Sequence, residues 1–409
     1  TYWEHAFIFK LDPLGQNEWA IDLNVGELWS GGGANGLALS PEGDVHAAFT
    51  KNEQGCIMRF SSDGTVLLQI DQSAHLINSM DVDGSGNIWI AGACVLPPTV
   101  TFGGVQYPVP SAGNGYNRYL VRYRPDGTPT FARFGSDVSC TVSQVKCVDA
   151  GRAYWAGNLI SDAVFGDLSV EGPALWGIPD AFIAMVDSTG EFEFLKQTPM
   201  TPTTGVGMGY QHFMDVDAEG NLVLLGKARG TALWEDGTTT ANYQYGNSLT
   251  MMAYATDGAF QWAKAVDDPE GWASIFGHSI SAAPDGTIHL TGMAKGLFAF
   301  DGQQAQHPEE AVEFFLFVAQ LGAPLSTGVT SANSISPVSI FPNPARGMLH
   351  LRTSSPVESV SCFNTMGQKV QVDLRGDQLD VSGLAGGLRV LHVRTNAGHH
   401  VVRFIKQAG

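Results

Sequence analysis

The feature that most constrains the fold is a repeat that runs through roughly the first three hundred residues. Three kinds of segment recur: an apolar strand ending in a glycine turn, a glycine turn leading into an apolar strand, and an aromatic residue near a further turn. After a shorter first repeat, each recurs every 63 to 69 residues. The markers are, in order, Gly15, Gly64, Gly127, Gly190, Gly258 and Gly322; Gly43, Gly86, Gly151, Gly220 and Gly286; and Phe102, Phe165, Trp234 and Phe300. Three independent markers at one spacing indicate a chain built from repeated structural units.

The turn chemistry predicts that each repeat is made of short antiparallel strands. Asp-Gly and Gly-Asn pairs separate alternating apolar runs, and these residues accept the left-handed backbone that tight hairpins need. No stretch has a sustained helical period. Repeats of four antiparallel strands in series predict an all-β fold, a β-propeller in which neighbouring blades cover each other's faces.

One stretch also resembles a known family. The pattern DAFIAMVDSTGEFEFLKQ followed by FMDVDAEGNLVLLGKARG, between Asp180 and Gly230, resembles the bacterial β-propeller repeats called SBBP repeats. The resemblance extends over about residues 5 to 325. We predict five full four-stranded repeats between Gly36 and about Val329, plus an extra N-terminal hairpin from Ala6 to Leu23. That hairpin would be the outer half of a blade whose inner half lies upstream of Thr1.

Charge divides the chain into two parts. The net charge is −18, and the phosphate backbone of nucleic acids needs a basic footprint, so a nucleic-acid partner is excluded. From Ile335 onward the balance reverses, with eight Lys and Arg against four Asp and Glu. An uncharged segment rich in Ser and Thr precedes the reversal, which is typical of a linker. We therefore predict a repeat domain at 1–325, a linker at 326–336 and a second domain at 337–409.

The second domain is predicted to be a small Ig-like β-sandwich. Its first strand ends at Pro342-Asn343-Pro344, because proline has no backbone N–H to donate and restricts the residue before it. Further apolar runs predict strands at about Met348–Thr353, Val357–Phe363, Lys369–Leu374, Leu388–Thr395 and Val401–Lys406.

These C-terminal residues resemble the type A sorting domain of the type IX (Por) secretion system. The matching positions are Pro342, Asn343, Pro344, Gly347, Gly367, Gly387 and Lys406. Arg389 departs from the family, which usually has tyrosine there. The resemblance implies that the type IX machinery is a partner. It also implies that the protein crosses the periplasm and reaches the cell surface or the medium, where the domain is commonly removed.

A few residues are candidates for metal or ligand binding. Asp81, Asp83, Asp215 and Asp217 lie in two equivalent turns, and oxygen ligands at alternate positions can wrap calcium. The closing glutamate of an EF-hand is absent, and such residues are also ordinary turn residues. Trp176 and Trp272 lie in loop-like segments, where exposed rings could stack on sugars, although packing is the simpler role.

No sequence motif assigns a catalytic residue or a cofactor. The chain has no HExxH or GxSxG motif, and Gly31, Gly33 and Gly36 precede a strand and a turn where a dinucleotide site requires a helix. Cys140 and Cys147 could close a small disulfide loop or remain buried thiols. No window approaches the ~20 apolar residues of a membrane helix.

Function is therefore predicted from location and fold. We expect a secreted or cell-surface protein whose propeller is a binding or adhesion module for a glycan or a surface protein. The alternative is a secreted glycan- or polysaccharide-acting enzyme on the same scaffold, for which a cluster of carboxylates with shifted pKa values would be evidence.

Overall fold

The computed structural model is built of β-strands throughout the part of the chain that it describes. The described residues are 7–23, 36–51, 54–95, 98–110, 116–136, 143–173, 177–209, 211–241, 248–267, 274–300, 303–306, 314–322, 338–353, 355–364, 368–396 and 398–407. Two compact regions are present: an N-terminal region, Thr1–Ala323, and a C-terminal region, Pro324–Gly409. The predicted linker lies outside the described residues. In none of those ranges is there a helix long and apolar enough to cross a membrane.

The N-terminal hairpin forms as two strands, β1 (Phe7–Leu11) and β2 (Asn17–Asp22), which pair with each other as a separate two-stranded sheet. Gly15, with a φ of 79°, makes the turn between them, a conformation that glycine adopts without steric cost. Ile8 packs in one hydrophobic cluster with Cys56 and Phe60 of the following sheet.

Five repeats follow the hairpin. Repeat 1 contains β3 (Leu37–Leu39), β4 (Val45–Lys51), β5 (Gln54–Phe60) and β6 (Val66–Gln72). Repeat 2 contains β7 (Leu76–Val82), β8 (Ile88–Val95), β9 (Thr99–Phe102), β10 (Val105–Pro108), β11 (Tyr116–Tyr123) and β12 (Pro129–Ser136). Repeat 3 contains β13 (Ser143–Cys147), β14 (Ala153–Asn158), β15 (Ala163–Phe165), β16 (Leu168–Val170), β17 (Ala181–Val186) and β18 (Phe192–Gln197).

The last two repeats keep the same plan. Repeat 4 contains β19 (Gly205–Met208), β20 (Met214–Val216), β21 (Leu222–Arg229), β22 (Thr231–Leu233), β23 (Thr239–Ala241), β24 (Ser248–Tyr254) and β25 (Phe260–Ala265). Repeat 5 contains β26 (Ser274–Ala282), β27 (Ile288–Lys295), β28 (Leu297–Phe300), β29 (Gln303–Gln306) and β30 (Phe315–Leu321).

Repeats 2 to 5 each carry a short hairpin that the four-strand prediction did not include. The hairpin β9–β10 of repeat 2 pairs with β6 and extends the sheet of repeat 1 to six strands. The hairpin β15–β16 of repeat 3 extends the sheet of repeat 2 in the same way. Phe102 and Phe165, the aromatic markers of the sequence, lie at these hairpins and are buried. These two hairpins thus cover the outer edge of the preceding sheet, an edge that would otherwise be open to unwanted pairing. The hairpins β22–β23 and β28–β29 form separate two-stranded sheets.

Repeat 5 differs from the prediction of a full four-stranded sheet. Its described sheet has three strands, in the order β26-β27-β30, and the predicted fourth strand falls outside the described residues. Gly322 is also not a turn glycine with positive φ, unlike Gly127 and Gly190. The register explains why: Phe317 pairs with Gly292 as Tyr119 pairs with Gly92. Gly322 therefore precedes the turn position that Gly127 occupies in repeat 2.

The repeats are held together by one interface that recurs between neighbours. Leaving out the short hairpins, we call β5, β11, β17, β24 and β30 the third strands of their repeats. On each third strand, alternate side chains face the following and the preceding repeat, because successive strand residues point to opposite faces. Leu120 of repeat 2 thus shares a hydrophobic cluster with Phe182 and Ala184 of repeat 3. Equivalent clusters join the other neighbours: Ile57 with Tyr119 and Val121, Ile183 with Met252 and Tyr254, and Met251 with Phe317.

The C-terminal region consists of two four-stranded sheets. Its strands are β31 (Val338–Phe341), β32 (Met348–Thr353), β33 (Val357–Phe363), β34 (Lys369–Val370), β35 (Asp373–Arg375), β36 (Gln378–Asp380), β37 (Gly387–Thr395) and β38 (Gly398–Lys406). The sheet orders are β31-β32-β36-β35 and β34-β33-β37-β38, and both sheets contribute to one core. The single strand predicted at Lys369–Leu374 was wrong, since β34 and β35 belong to different sheets.

A buried histidine makes the N-terminal region sensitive to acid. His46 is 1% exposed, and neither ring nitrogen has a hydrogen-bond partner among the described residues. Burial, reinforced by the positive charge of Arg59, lowers the pKa of His46 from 6.5 to about 4. Because the unfolded chain takes up the proton more readily, stability is lost as the pH falls from about 6.5 towards 4, by about 3 kcal/mol in total.

We therefore expect His46→Leu to unfold with a weaker pH dependence than the wild type between pH 7 and pH 4.5, measured by urea titration. His289→Gln, which removes an exposed imidazole, is the matched control and should keep the wild-type dependence. Equal acid sensitivity in the wild type and His46→Leu would show that another group is responsible.

Candidate functional site

A charged cluster lies on the first strands of successive repeats. In repeat 4 the first strand is divided into β19 and β20, which both pair with β21. Asp81 on β7, Lys146 on β13 and Asp215 on β20 occupy equivalent positions, and we call them the first-strand cluster. The Lys146 ammonium nitrogen lies 3.0 Å from Asp215 Oδ1 and 3.8 Å from Asp81 Oδ2. One cation therefore serves two carboxylates that belong to different repeats.

The carboxylates of the cluster also tie neighbouring first strands together. Asp81 Oδ2 accepts a hydrogen bond of 2.9 Å from the backbone N–H of Cys147. Asp215 Oδ2 accepts one of 3.0 Å from the backbone N–H of Ala282 and one of 3.2 Å from the Ser281 hydroxyl. Each aspartate thus reaches the first strand of the next repeat.

Burial sets the protonation of the cluster. It raises the pKa of Asp81, against the opposing effects of Lys146 and two backbone N–H donors. Burial alone would lower the pKa of Lys146, but the charges of Asp81 and Asp215 outweigh it and raise that pKa. Nearby, burial lowers the pKa of His212. Lys146 is therefore a charged ammonium at neutral pH.

The four suggested calcium ligands are separated into two environments. Asp81 and Asp215 belong to the first-strand cluster, while Asp83 and Asp217 lie in the turns that follow. Asp83 Oδ1 accepts hydrogen bonds from the backbone N–H groups of Ser85 and Asn87, and Asp83 Oδ2 lies 3.2 Å from the Trp89 indole nitrogen. Asp217 accepts equivalent bonds in its own turn. Across the described residues, no group of three or more His, Cys, Asp or Glu side chains is arranged to hold a metal ion.

Of the tryptophans and cysteines suggested as functional, the structure describes Cys147 alone. Trp176 and Trp272, the suggested stacking residues, lie outside the described residues, as does Cys140. Of the two alternatives suggested for Cys147, the structure shows the free thiol and not the disulfide, and burial raises the pKa of that thiol well above its usual value.

A groove of about 610 Å³ lies between β25 of repeat 4 and the sheet and hairpin of repeat 5. Its walls carry aromatic rings and its lining also includes amide and ammonium groups: Trp262, Phe298, Phe300, Phe317, Lys264, Gln303 and Gln320. The sequence did not identify this groove, because Trp262 holds the place in its repeat that Trp19 holds in the N-terminal hairpin, and equivalent positions in a repeat indicate packing. The available signal was the cluster of phenylalanines at Phe298, Phe300 and Phe317.

In the C-terminal region, the Pro342-Asn343-Pro344 segment is bound to the last strand, β38. The Asn343 side chain hydrogen-bonds to the backbone of β38, as a neighbouring strand would. Its Oδ1 accepts from the backbone N–H of Ile405 at 2.9 Å, and its Nδ2 donates to the Arg403 carbonyl at 3.3 Å. Ala345 continues the contact by donating to the Ile405 carbonyl at 2.8 Å and accepting from Gln407 at 2.9 Å. Two motifs that are sixty residues apart in sequence therefore form one structural unit.

The other motif positions support turns around the same core. Gly347 accepts a backbone hydrogen bond from Val381, and Gly387 has a φ of 126°, which favours glycine. Gly367 lies outside the described residues, and Lys406 is buried with its ammonium donating to the Gln407 carbonyl at 2.7 Å. Arg389, the departure from the family, donates to the carbonyls of Leu388 and Ala385 and so fixes the segment before β37.

Comparison with protein families identifies the C-terminal region. Residues 339–407 match the family described as the secretion system C-terminal sorting domain. Such a domain directs export by the type IX secretion system and interacts with its machinery. The protein is therefore secreted, and is anchored at or released from the cell surface.

Whole-chain comparisons give only distant likenesses. No curated protein matches the chain. A protein of unknown function from Bacteroides caccae is similar at 11% identity, over 62% of this chain and 73% of that one, with a TM-score of 0.33. A protein from Lactobacillus plantarum is similar at 10% identity, over 97% and 91%, with a TM-score of 0.32. A mannose phosphorylase from Leishmania mexicana, MPT-4, is similar at 12% identity, over 64% and 81%, with a TM-score of 0.28. No functional inference rests on these likenesses.

The link between Asn343 and β38 can be tested by substitution. Asn343→Ala removes two exposed hydrogen bonds to the last strand, and we expect it to destabilise the C-terminal region by about 1 kcal/mol. Hydrogen exchange at the Ile405 amide should accelerate. Asn364→Ala is the control, because it removes side-chain hydrogen bonds to Gln368 within the Asn364 turn. Unchanged exchange at Ile405 in Asn343→Ala would contradict the link.

Proposed function

We propose that the N-terminal region is a β-propeller that serves as a binding or adhesion module at the cell surface. The sorting domain delivers the protein there. The recurring antiparallel sheets and the interface between neighbours support the propeller. The domain limits we propose are those of the sequence prediction, 1–325 and 337–409 with a linker at 326–336, close to the division between the two compact regions.

The aromatic groove is the observation that carries the binding role. Aromatic rings offer flat apolar surfaces on which the apolar faces of sugar rings stack, and the neighbouring polar groups can hydrogen-bond to hydroxyls. In this groove, Trp262 and Phe300 are half-buried, so part of each ring remains open to a ligand. Lys264 and Gln303 supply donors beside them. We propose a glycan as the ligand, with a surface protein as the other candidate.

The alternative function is a glycan-acting enzyme that uses the first-strand cluster. The raised pKa of Asp81 and the proximity of Asp215 favour it, because glycosidases pair a protonated with an ionised carboxyl. Lys146 argues against it. Its ammonium lies within 4 Å of both carboxylates and forms ion pairs with them. The aspartates also bond to neighbouring strands, a structural role, so binding is the better-supported function.

A glycan array followed by calorimetry on the best ligand tests the binding role. We expect Trp262→Ala to weaken that ligand about tenfold, equivalent to about 1.4 kcal/mol, through the loss of one stacking surface. Trp19→Ala is the matched control, because Trp19 holds the corresponding place in the N-terminal hairpin and does not line the groove.

The same glycans should be incubated with the protein and analysed for products. Binding without product formation is the expected result. Product formation that Asp81→Asn abolishes would overturn the binding proposal in favour of the enzyme, and equal affinity of Trp262→Ala and the wild type would exclude the groove.

A further inference from the structure

A second groove lies at the junction of repeats 1 and 2, and we call it the β6 groove. It has a volume of about 690 Å³ and lies between β6, the hairpin β9–β10 and the turn that joins β11 to β12. Its place in the repeat is that of the aromatic groove at the junction of repeats 4 and 5. Leu68 and Ile70 of the β6 groove are equivalent to Trp262 and Lys264 of the aromatic groove, because each pair follows its turn glycine at the same distance.

At the two junctions between these grooves, a basic side chain bridges one repeat to the next. Arg133 of β12 donates to the turn carbonyls of Gly190 at 2.6 Å and Thr189 at 3.4 Å in repeat 3. Lys196 of β18 pairs with Glu235 in the hairpin loop of repeat 4, at 3.0 Å. Both basic residues lie six positions after the turn glycine of their repeat. At these junctions, the chain itself therefore supplies a cation to the space beside its last strand.

The junction of repeats 1 and 2 lacks this cation. The sixth residue after its turn glycine is Ile70, which is uncharged and 4% exposed. The acceptors of the bridge are nevertheless present, because Asp126 and Gly127 are equivalent to the two turn residues whose carbonyls Arg133 binds. Both of these turn residues line the β6 groove. The groove thus keeps the acceptors and leaves the donor to another molecule.

The β6 groove is also negatively charged. Among the described residues that line it, Asp71 and Asp126 are acidic and none is Lys or Arg. Hydrogen bonds from Thr128, with the charge of Arg124, lower the pKa of Asp126, so this carboxyl is ionised at neutral pH. Carbonyl and carboxylate oxygens together favour a ligand that carries a protonated amine, since charge-assisted hydrogen bonds are the stronger ones.

The rest of the lining favours a sugar over a simple amine. Val105 and Pro129 contribute apolar surface, and Gln54 and Thr101 contribute groups that can hydrogen-bond to hydroxyls. Gly104 keeps the groove open, because a Cβ at this position would meet no atom within 4 Å. A ligand with hydroxyl groups, an apolar ring face and an ammonium group is an amino sugar.

We propose that the β6 groove binds a non-acetylated amino sugar, whose ammonium takes the place of the basic side chain that bridges the next two junctions. The assignment rests on the proposed glycan-binding role. It adds a second site to that role, at the equivalent place in the repeat but with a different ligand chemistry from the aromatic groove.

Calorimetry on the full chain with a glucosamine oligosaccharide tests the assignment. The N-acetylated oligosaccharide of the same length is the uncharged comparison, and it should bind about tenfold more weakly because acetylation removes the ammonium. Asp126→Asn keeps the side-chain oxygen that accepts from the Thr128 backbone but removes the charge, and it should weaken binding about fivefold. Asp236→Asn is the matched control, because Asp236 accepts the same bond from Thr238 in a loop of repeat 4 that does not line the groove.

A second variant, Ile70→Arg, supplies the missing cation from the chain and should abolish binding. Because Ile70 is buried, its unfolding must be compared with that of the wild type, and if Ile70→Arg does not fold, Asp126→Asn decides the question. No binding of the glucosamine oligosaccharide, equal binding of the two oligosaccharides, or wild-type affinity in Asp126→Asn would each overturn the assignment. Preference for a lysine oligopeptide over the oligosaccharide would overturn it as well. If Trp262→Ala abolishes binding, the amino sugar occupies the aromatic groove, so the present assignment is wrong while the proposed binding role stands.

Discussion

The contact between the third strands of neighbouring repeats is the interaction on which the N-terminal region depends. A strand such as β11 presents Leu120 to one neighbour and Tyr119 to the other, and both side chains are fully buried. No sheet buries both its faces alone, so each is stable only between its neighbours. The inserted hairpins and the first-strand aspartates add to this coupling, because they link successive repeats at the outer and inner ends of the sheets.

Much of this organisation could be predicted from the sequence, because tight turns leave a strong local signal. Gly64, Gly127 and Gly190 all have positive φ, as turn glycines at hairpins require. The pairing of a hairpin with the sheet of the preceding repeat could not be predicted. Strands of three or four residues carry little periodicity, and strand partners are decided by tertiary structure. The same limit explains Gly322, whose spacing fits the repeat while its strand register does not.

At the candidate sites too, the sequence indicated local patterns but not the contacts between distant residues. The alternation of Asp81 and Asp83 suggested calcium ligands. In the structure Asp81 lies on strand β7 and Asp83 lies in the turn that follows, so the two carboxylates have different partners. Lys146 lies sixty-five residues from Asp81, and nothing in the local sequence pattern predicts the ion pair between them. In the C-terminal region, the motif positions were recognisable by family resemblance. The bond between Asn343 and the last strand, which gives those positions a common structural role, required the fold.

Hydrogen exchange resolved by residue measures most directly whether neighbouring repeats stabilise one another. If they do, the third strands of repeats 2, 3 and 4 exchange slowest, at rates set by global unfolding. Strands β1 and β30, whose side chains are exposed on one face, exchange faster through local opening. This gradient from the centre to both ends is the predicted result. Uniform protection across all the repeats, or slowest exchange in β1 or β30, would contradict it.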